Sequence, residues 1–309
     1  MHPPTPHWSQ TSSQLLNACP RAWAATYRPK PSGVQPHHQA VGTNVPRTLD
    51  QAIVRALRRT WLDRTRDHFL SKAWSTKYRE ARLMAHLETL MHHSAIFAPA
   101  IHVEMAIQDG VRQLERLEAC TGLRPVFSKA PSRWAYFERL QSAALGDTRL
   151  FAAPDMAVYH QHRWTLIRIQ FRSPSLTTEA RQLEHLLMVH WAMRQGGLPK
   201  DHSAYTVKVI RWTANRWVEH RVAVTREGMA QSMALVEHDL AEMKWMLRSA
   251  EADPQLHNLP LAAKESTCVS CHVRETCPAK NGLKDARERQ EAAWRLLAQS
   301  AETKSARTA

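Results

Sequence analysis

The sequence predicts a mixed α/β (α+β) protein with helices flanking a central sheet, and three observations carry that expectation. Apolar residues recur at helical spacing through Leu49, Ile53, Leu57 and Trp61, and similar patterns continue to about Cys120. Short runs with strand character follow Pro131, at Trp134–Leu140, Arg149–Tyr159 and Trp164–Phe171. Further on, Tyr205, Val207 and Val209 alternate, as do Val222 and Val224, which predicts a hairpin around Asn215.

Taken in order, residues 1–10 are rich in Pro, His and Ser and read as a flexible tail. Ser12-Ser13 reads as the cap of a short helix that runs into Cys19-Pro20-Arg21. Residues 28 to 47 hold Pro29, Pro31, Gly33, Pro36, Gly42 and Pro46, the composition of a loop. Thr48-Leu49-Asp50-Gln51 has capping-box spacing and opens the helical region. That region breaks near Phe97-Ala98-Pro99. His160-Gln161-His162 reads as the turn joining two strands, and a helix from about Thr178 to Arg194 is closed by Gly196-Gly197. Met229, Met233, Val236, Leu240, Met243 and Leu247 form a helical stripe expected to pack in the core. From Lys284 a helix frays into a polar tail.

Composition narrows the function. The 309 residues carry 42 Lys+Arg against 28 Asp+Glu, a formal net charge of +14, which points to a polyanionic partner, most simply nucleic acid. No apolar stretch reaches the length of a membrane-spanning helix, and the N-terminus lacks a secretory pattern, so a cytoplasmic, reducing location is expected. There the five cysteines are metal ligands or buried thiols rather than disulfides. No Walker loop, dinucleotide fingerprint or Gly-x-Ser-x-Gly elbow is present. His37-His38, His92-His93, His160 and His162 have no acidic neighbour completing a metal site and read as solvated.

Cys268-Val-Ser-Cys271-His-Val-Arg-Glu-Thr-Cys277 is the sharpest local signal. Three thiolates at these spacings suit zinc or an iron–sulfur cluster. Of the two remaining cysteines, Cys19 is the better fourth ligand, because Cys120 falls within an amphipathic helical pattern and reads as a small buried residue. A zinc knuckle completed by His272 or His257 is equally compatible with spacing alone.

Ser-x-Leu-x-x-x-Cys-Pro-Arg near the N-terminus, paired with Cys-x2-Cys-x5-Cys near the C-terminus, resembles the RecB-like branch of the PD-(D/E)xK nucleases. AddB-type helicase–nuclease subunits and CRISPR-associated RecB-like exonucleases are the comparison. The resemblance implies a restriction-endonuclease-like fold whose N- and C-terminal segments are clasped by a [4Fe–4S] cluster, here on Cys19, Cys268, Cys271 and Cys277. It covers about residues 9 to 283. It divides the chain into the tail (1–10), a cysteine segment and loop (11–47), a helical region (48–130), the PD-(D/E)xK-like core (131–255), the cysteine loop (256–283), and a C-terminal helix and tail (284–309).

The catalytic motif departs from the family pattern. Pro154-Asp155 matches its first part, but Gln170 stands where the second carboxylate is expected and Arg172 where the Lys is expected. Gly42-Thr43-Asn44-Val45 leads to Pro46 rather than to the family histidine, and the family's Gln and Tyr helix is only loosely echoed by Gln182 and His190. Family members hold Mg²⁺ or Mn²⁺ on anionic oxygens. Exchanging a carboxylate for Gln removes a negative charge, so a divalent ion on Asp155 alone should be held weakly. Arg in place of Lys enlarges the cation and fixes its geometry, so Arg172 could grip a phosphate. Glu138 or Glu179 could supply a migrated carboxylate. The expectation is a DNA-binding protein of repair, recombination or defence with weak or lost cleavage, working beside a helicase or another subunit. The alternatives are an active metal-dependent nuclease with a displaced acidic ligand, and a structural subunit that binds an acidic protein partner. Exposed Trp side chains could stack on unpaired bases, although Trp212 and Trp217 read first as core residues.

Overall fold

The computed structural model describes residues 6–28, 46–127, 133–172, 178–269 and 271–308. The loop expected over 28–47 lies outside them from 29 to 45, as do His37, His38 and the Gly42–Val45 segment. The chain is of mixed α/β class and divides into two compact units, residues 45–237 and residues 1–44 with 238–309. Among the described residues no helix is long and apolar enough to cross a membrane.

In chain order the elements are β1 (Trp8–Ser9), α1 (Gln10–Ala18), α2 (Pro20–Tyr27), α3 (Leu49–Phe69), α4 (Thr76–His93), α5 (Ala100–Glu118) and α6 (Arg124–Phe127). Then come β2 (Arg133–Tyr136), β3 (Ala143–Leu145), β4 (Thr148–Phe151), β5 (Met156–His160), β6 (Arg163–Gln170) and α7 (Glu179–Ala192). They are followed by β7 (Tyr205–Thr213), β8 (Arg216–Val222), α8 (Arg226–Ala252), α9 (Glu265–Val269) and α10 (Leu283–Thr308).

The larger unit is built on a five-stranded sheet in the order β2-β5-β6-β7-β8. Its pairings are antiparallel except β6–β7, which run parallel from Trp164↔Tyr205 to Gln170↔Arg211. Parallel neighbours need a crossover, and α7 supplies it. The β5–β6 turn places Gln161 and His162 at φ 50° and 62°, and the β7–β8 turn places Ala214 and Asn215 at φ 48° and 57°. Two consecutive positive φ values make the hairpin turn whose twist matches paired strands.

One face of the sheet is covered by α3, α4 and α5. Leu57, Trp61, Leu83, Leu87, Val111 and Leu114 pack there with Met156, Val158, Ile167, Ile169 and Ile210. Thr48 caps α3 by accepting from the Gln51 backbone N–H at 3.2 Å. The helices approach closely at Gly110, where an added Cβ would stand 2.7 Å from Leu83 Cδ2. Leu83 is fully buried. Leu83→Ala is expected to cost about 3 kcal/mol, as transfer and cavity terms add. Gly110→Ala in that background should return part of this by filling the space. A urea-denaturation cycle over the four proteins checks the coupling.

Several boundaries differ from the sequence reading. The α1 cap is Ser9, whose side chain accepts from the Ser12 N–H, rather than Ser12. The Arg149–Tyr159 run is two strands, β4 and β5, separated by Ala152-Ala153-Pro154-Asp155. The helical region breaks a second time at 70–75, where Ser71 adopts φ 59°. Cys120 lies just beyond α5 rather than within a helix; it packs against the core and is only half-buried. Val224 falls outside β8.

The smaller unit has its own apolar centre and several buried polar ties. Trp8 Nε1 donates to Asp239 Oδ2 at 2.8 Å, and Trp23 Nε1 donates to Ser12 Oγ at 2.9 Å. Buried Arg21 donates to the Leu256 and Gln255 carbonyls at 2.6 and 2.7 Å. These bonds fix α1 and α2 to the chain that follows α8, because a buried guanidinium left unpaired would be costly.

Candidate functional site

Asp155 sits at an irregularity in the sheet. Met156 pairs with Ile167, and the Asp155 N–H also donates to the Ile167 carbonyl at 2.8 Å. Two residues facing one is the arrangement of a β-bulge, which re-aims a side chain and ends regular pairing. The Asp155 side chain is only 15% exposed, and its two oxygens are taken by a forked ion pair. Arg139 Nε donates to Oδ1 at 2.7 Å and Arg139 Nη2 to Oδ2 at 2.8 Å. The Ile169 N–H donates to Oδ2 at 2.6 Å, and Arg139 Nη2 also reaches the Ile169 carbonyl at 2.6 Å.

Charge around this carboxylate is mostly positive. Burial pushes its pKa up, but Arg139, Arg168 and the Ile169 bond outweigh burial and hold it below the usual carboxylate value. Arg168 projects from β6 and is 8% exposed. Burial first, then the Arg139 charge, lower its pKa to about 10, against the opposing pull of Asp155 and Glu184. Arg58 comes from α3 and is exposed, yet Arg139 first and burial second push it down to about 9. His185 of α7 is buried beside this group. Burial, then Arg168, His220, Arg181 and Arg139, push its pKa down to about 3, so it is neutral at physiological pH.

The other positions singled out from sequence are not gathered here. Arg172 is 62% exposed and pairs with Asp50 at 3.0 Å. Gln170 is half-buried at the end of β6, and the strongest charges on Asp155 come from Arg139 and Arg168 instead. Glu138, Glu179 and Gln182 are exposed. His190 meets the Met229 carbonyl at 3.0 Å, and burial lowers its pKa. A divalent cation does not fit this donor set, because one carboxylate, already forked onto a guanidinium, faces further guanidiniums. Sequence reasoning missed Arg58, Arg139 and Arg168. Arg168 alone left a signal, as a charge within the apolar run Leu166-Ile167-Arg168-Ile169.

The smaller unit holds a second site. Cys19, Cys268, Cys271 and Cys277 line one small cavity of about 20 Å³, together with Ala22, Leu261 and Val273. Cys19 ends α1 and begins α2, and its sulfur accepts from the Ala22 N–H at 3.4 Å. Burial pushes its thiol up to about 11, with the three other cysteines adding to the rise. Burial likewise raises Cys268. His272 meets Thr26 Oγ1 at 2.7 Å, and His257 is exposed; neither is among the residues lining the cavity. Among the described residues no three His, Cys, Asp or Glu side chains converge on a single-ion site.

Fold and sites together define a mixed α/β protein with an arginine-locked aspartate at a sheet bulge and a four-cysteine cavity in its smaller unit. Neither a protein-family model nor a curated protein matches the chain. A solved structure described as "Crystal structure of SSO0001" is 14% identical and aligns over 75% of this chain and 85% of that one, with a TM-score of 0.30. A likeness at that level transfers neither fold nor function.

Proposed function

We propose that the chain is a RecB-like, restriction-endonuclease-like protein that binds DNA and has lost or nearly lost cleavage. The observation that carries this reading is the Arg139–Asp155 fork. In a cleaving site of this class the aspartate oxygens must be available to Mg²⁺ or Mn²⁺, which activates water and neutralises the developing phosphate charge. Here a guanidinium occupies them. The mixed sheet with its β6–α7–β7 crossover and the +14 net charge support the fold and the polyanion. Binding would be mainly to backbone phosphates, so it should weaken steeply with salt.

The four cysteines are proposed to hold a structural [4Fe–4S] cluster. Four cysteines that line one cavity are the donor set of such a cluster. When bound, the cluster supplies cross-linking. The chain's own contribution is to bring Cys19 beside Cys268, Cys271 and Cys277 through the apolar packing of Ala22, Leu261, Ala262 and Leu283. A helicase or another repair or defence subunit is the proposed working partner.

Incubation of the protein with labelled single- and double-stranded DNA and Mg²⁺ or Mn²⁺ tests the reading. The expected result is binding that falls with salt and no cleavage. Cleavage that disappears in Asp155→Ala would overturn it in favour of an active nuclease. No binding at low salt would favour an acidic protein partner.

A further inference from the structure

An open cleft of about 650 Å³ lies in the larger unit, between the C-terminal end of α5 and the β7–β8 hairpin. Strand alternation puts Trp217, Glu219 and Arg221 on one face of β8, and the pairing Lys208↔Arg221 adds Lys208 to that face. The face is turned towards α5. Trp217 Nε1 donates to the Gln113 carbonyl at 2.8 Å, and the Gly122 N–H, just beyond α5, donates to Glu219 Oε1 at 2.7 Å. A Cβ added at Gly122 would stand 2.7 Å from Lys208 Cδ. Glycine at this place lets the Lys208–Glu219 ion pair, 2.7 Å long, seat against the backbone.

Charge in the cleft is one-sided. Glu219 is the one carboxylate among the lining residues, and the Gly122 N–H and Lys208 engage its two oxygens. Burial first, and Glu219 second, push the Cys120 thiol up to about 11, so it adds no negative charge near neutrality. Arg116, Arg216 and Arg221 remain. All three are exposed, and among the described residues none of them pairs with a carboxylate. Arg116 donates only to the Asn215 carbonyl, at 3.1 Å. Half-buried Trp217 lines the same cleft, held edge-on by Phe171 and Trp212 at centroid distances of 5.5 and 5.3 Å. Guanidiniums beside a fixed aromatic ring are the parts that grip a phosphate backbone and stack a base. A cleft of this volume takes a ligand of small-molecule size, so a nucleotide unit of a single strand can enter it and the body of a duplex cannot.

We infer that this cleft binds a segment of single-stranded nucleic acid, with Arg116, Arg216 and Arg221 on its phosphates and a base against Trp217. The inference rests on the DNA-binding reading and gives it a location and a strand form.

The test is fluorescence anisotropy of labelled oligo(dT), oligo(U) and a DNA duplex, each titrated at several salt concentrations in excess chelator. Arg216→Gln with Arg221→Gln changes two exposed side chains of β8, and Arg116→Gln changes a third on α5; melting curves verify that both variants fold. Arg287→Gln with Arg289→Gln, exposed on α10 and outside the cleft, removes the same charge as the β8 pair. The β8 variant is expected to weaken single-strand binding about tenfold, the scale of one charge-assisted bond. It should lower the salt slope by about 1.4, the share of two phosphates on a single strand, and Arg116→Gln should lower it by about 0.7. The α10 variant should bind as the wild type does. Single-strand binding that is unchanged in both cleft variants, or that falls as far in the α10 variant, overturns the cleft and leaves the DNA-binding reading standing. Duplex binding with the same losses overturns the single-strand assignment. Binding of oligo(U) alone, weakened in the cleft variants, supports the cleft and overturns the DNA-binding reading; binding of none of the three overturns both.

Discussion

Cys271→Ser is expected to bleach the protein and lower its stability by about 5 kcal/mol, the scale for opening a cross-link that spans most of a chain this long. Cys19 lies near one end of the sequence and Cys268, Cys271 and Cys277 near the other, yet all four line one cavity. A metal cluster bound to the folded form alone converts its binding energy into folding energy. On the proposed cluster assignment, losing one ligand removes both the colour and the staple. Cys120→Ser is the control: Cys120 packs against the larger unit's core, away from the four-cysteine cavity, and its loss should leave the spectrum unchanged. Iron and sulfide analysis, visible absorbance and denaturant melts of both variants provide the readouts. Colourless protein carrying stoichiometric zinc after anaerobic purification would falsify the cluster assignment.

Arg139→Ala should cost about 3 kcal/mol, at the lower end of what breaking a buried ion pair costs because Arg139 keeps 30% of its side-chain surface in water. The cost arises from leaving the Asp155 carboxylate in low dielectric with one strong donor removed. Replacing both residues, with Arg139→Met and Asp155→Leu, should cost less than the single change, since no charge is then stranded. The pH dependence follows from the direction of the Asp155 shift. Its folded pKa lies below the unfolded value, so the stabilisation is complete above about pH 4 and is lost as pH falls through the folded value. The stability gap between wild type and Arg139→Ala should thus be widest near neutrality and narrow in acid. Urea titrations of the two proteins at several pH values measure this. A gap that widens on acidification would show that Arg139 does not act through the ionised carboxylate.

Much of the fold was legible because its signals are local. The Thr48 cap, the Asn215 hairpin and the turn at Gln161-His162 depend on residues adjacent in the chain. The β4–β5 division was not legible, since Arg149–Tyr159 reads as one largely apolar run; Ala152-Ala153-Pro154-Asp155 separates the two strands. The cysteine constellation could be read in part, because Cys268, Cys271 and Cys277 lie close together in the chain. The arginine cluster could not. Arg58, Arg139 and Arg168 stand on a helix, a turn and a strand far apart in sequence, and nothing local to any of them names the others. A motif comparison looks for the second catalytic position in the strand after Asp155, and so it passed over Arg139, which precedes it.

The apolar packing of Ala22 with Leu261, Ala262 and Leu283 also sets an order of events during synthesis. Ala22 leaves the ribosome long before its neighbours exist. At translation speeds of about 5–20 residues per second the wait is roughly ten to fifty seconds. Until then Trp23 and the α1–α2 segment lack the carbonyls of Gln255 and Leu256 that anchor Arg21. The smaller unit is accordingly a late structure, complete only after translation has passed Leu283. A chain that stops short of the cysteine loop could fold its five-stranded sheet but could not finish the unit that contains its own beginning.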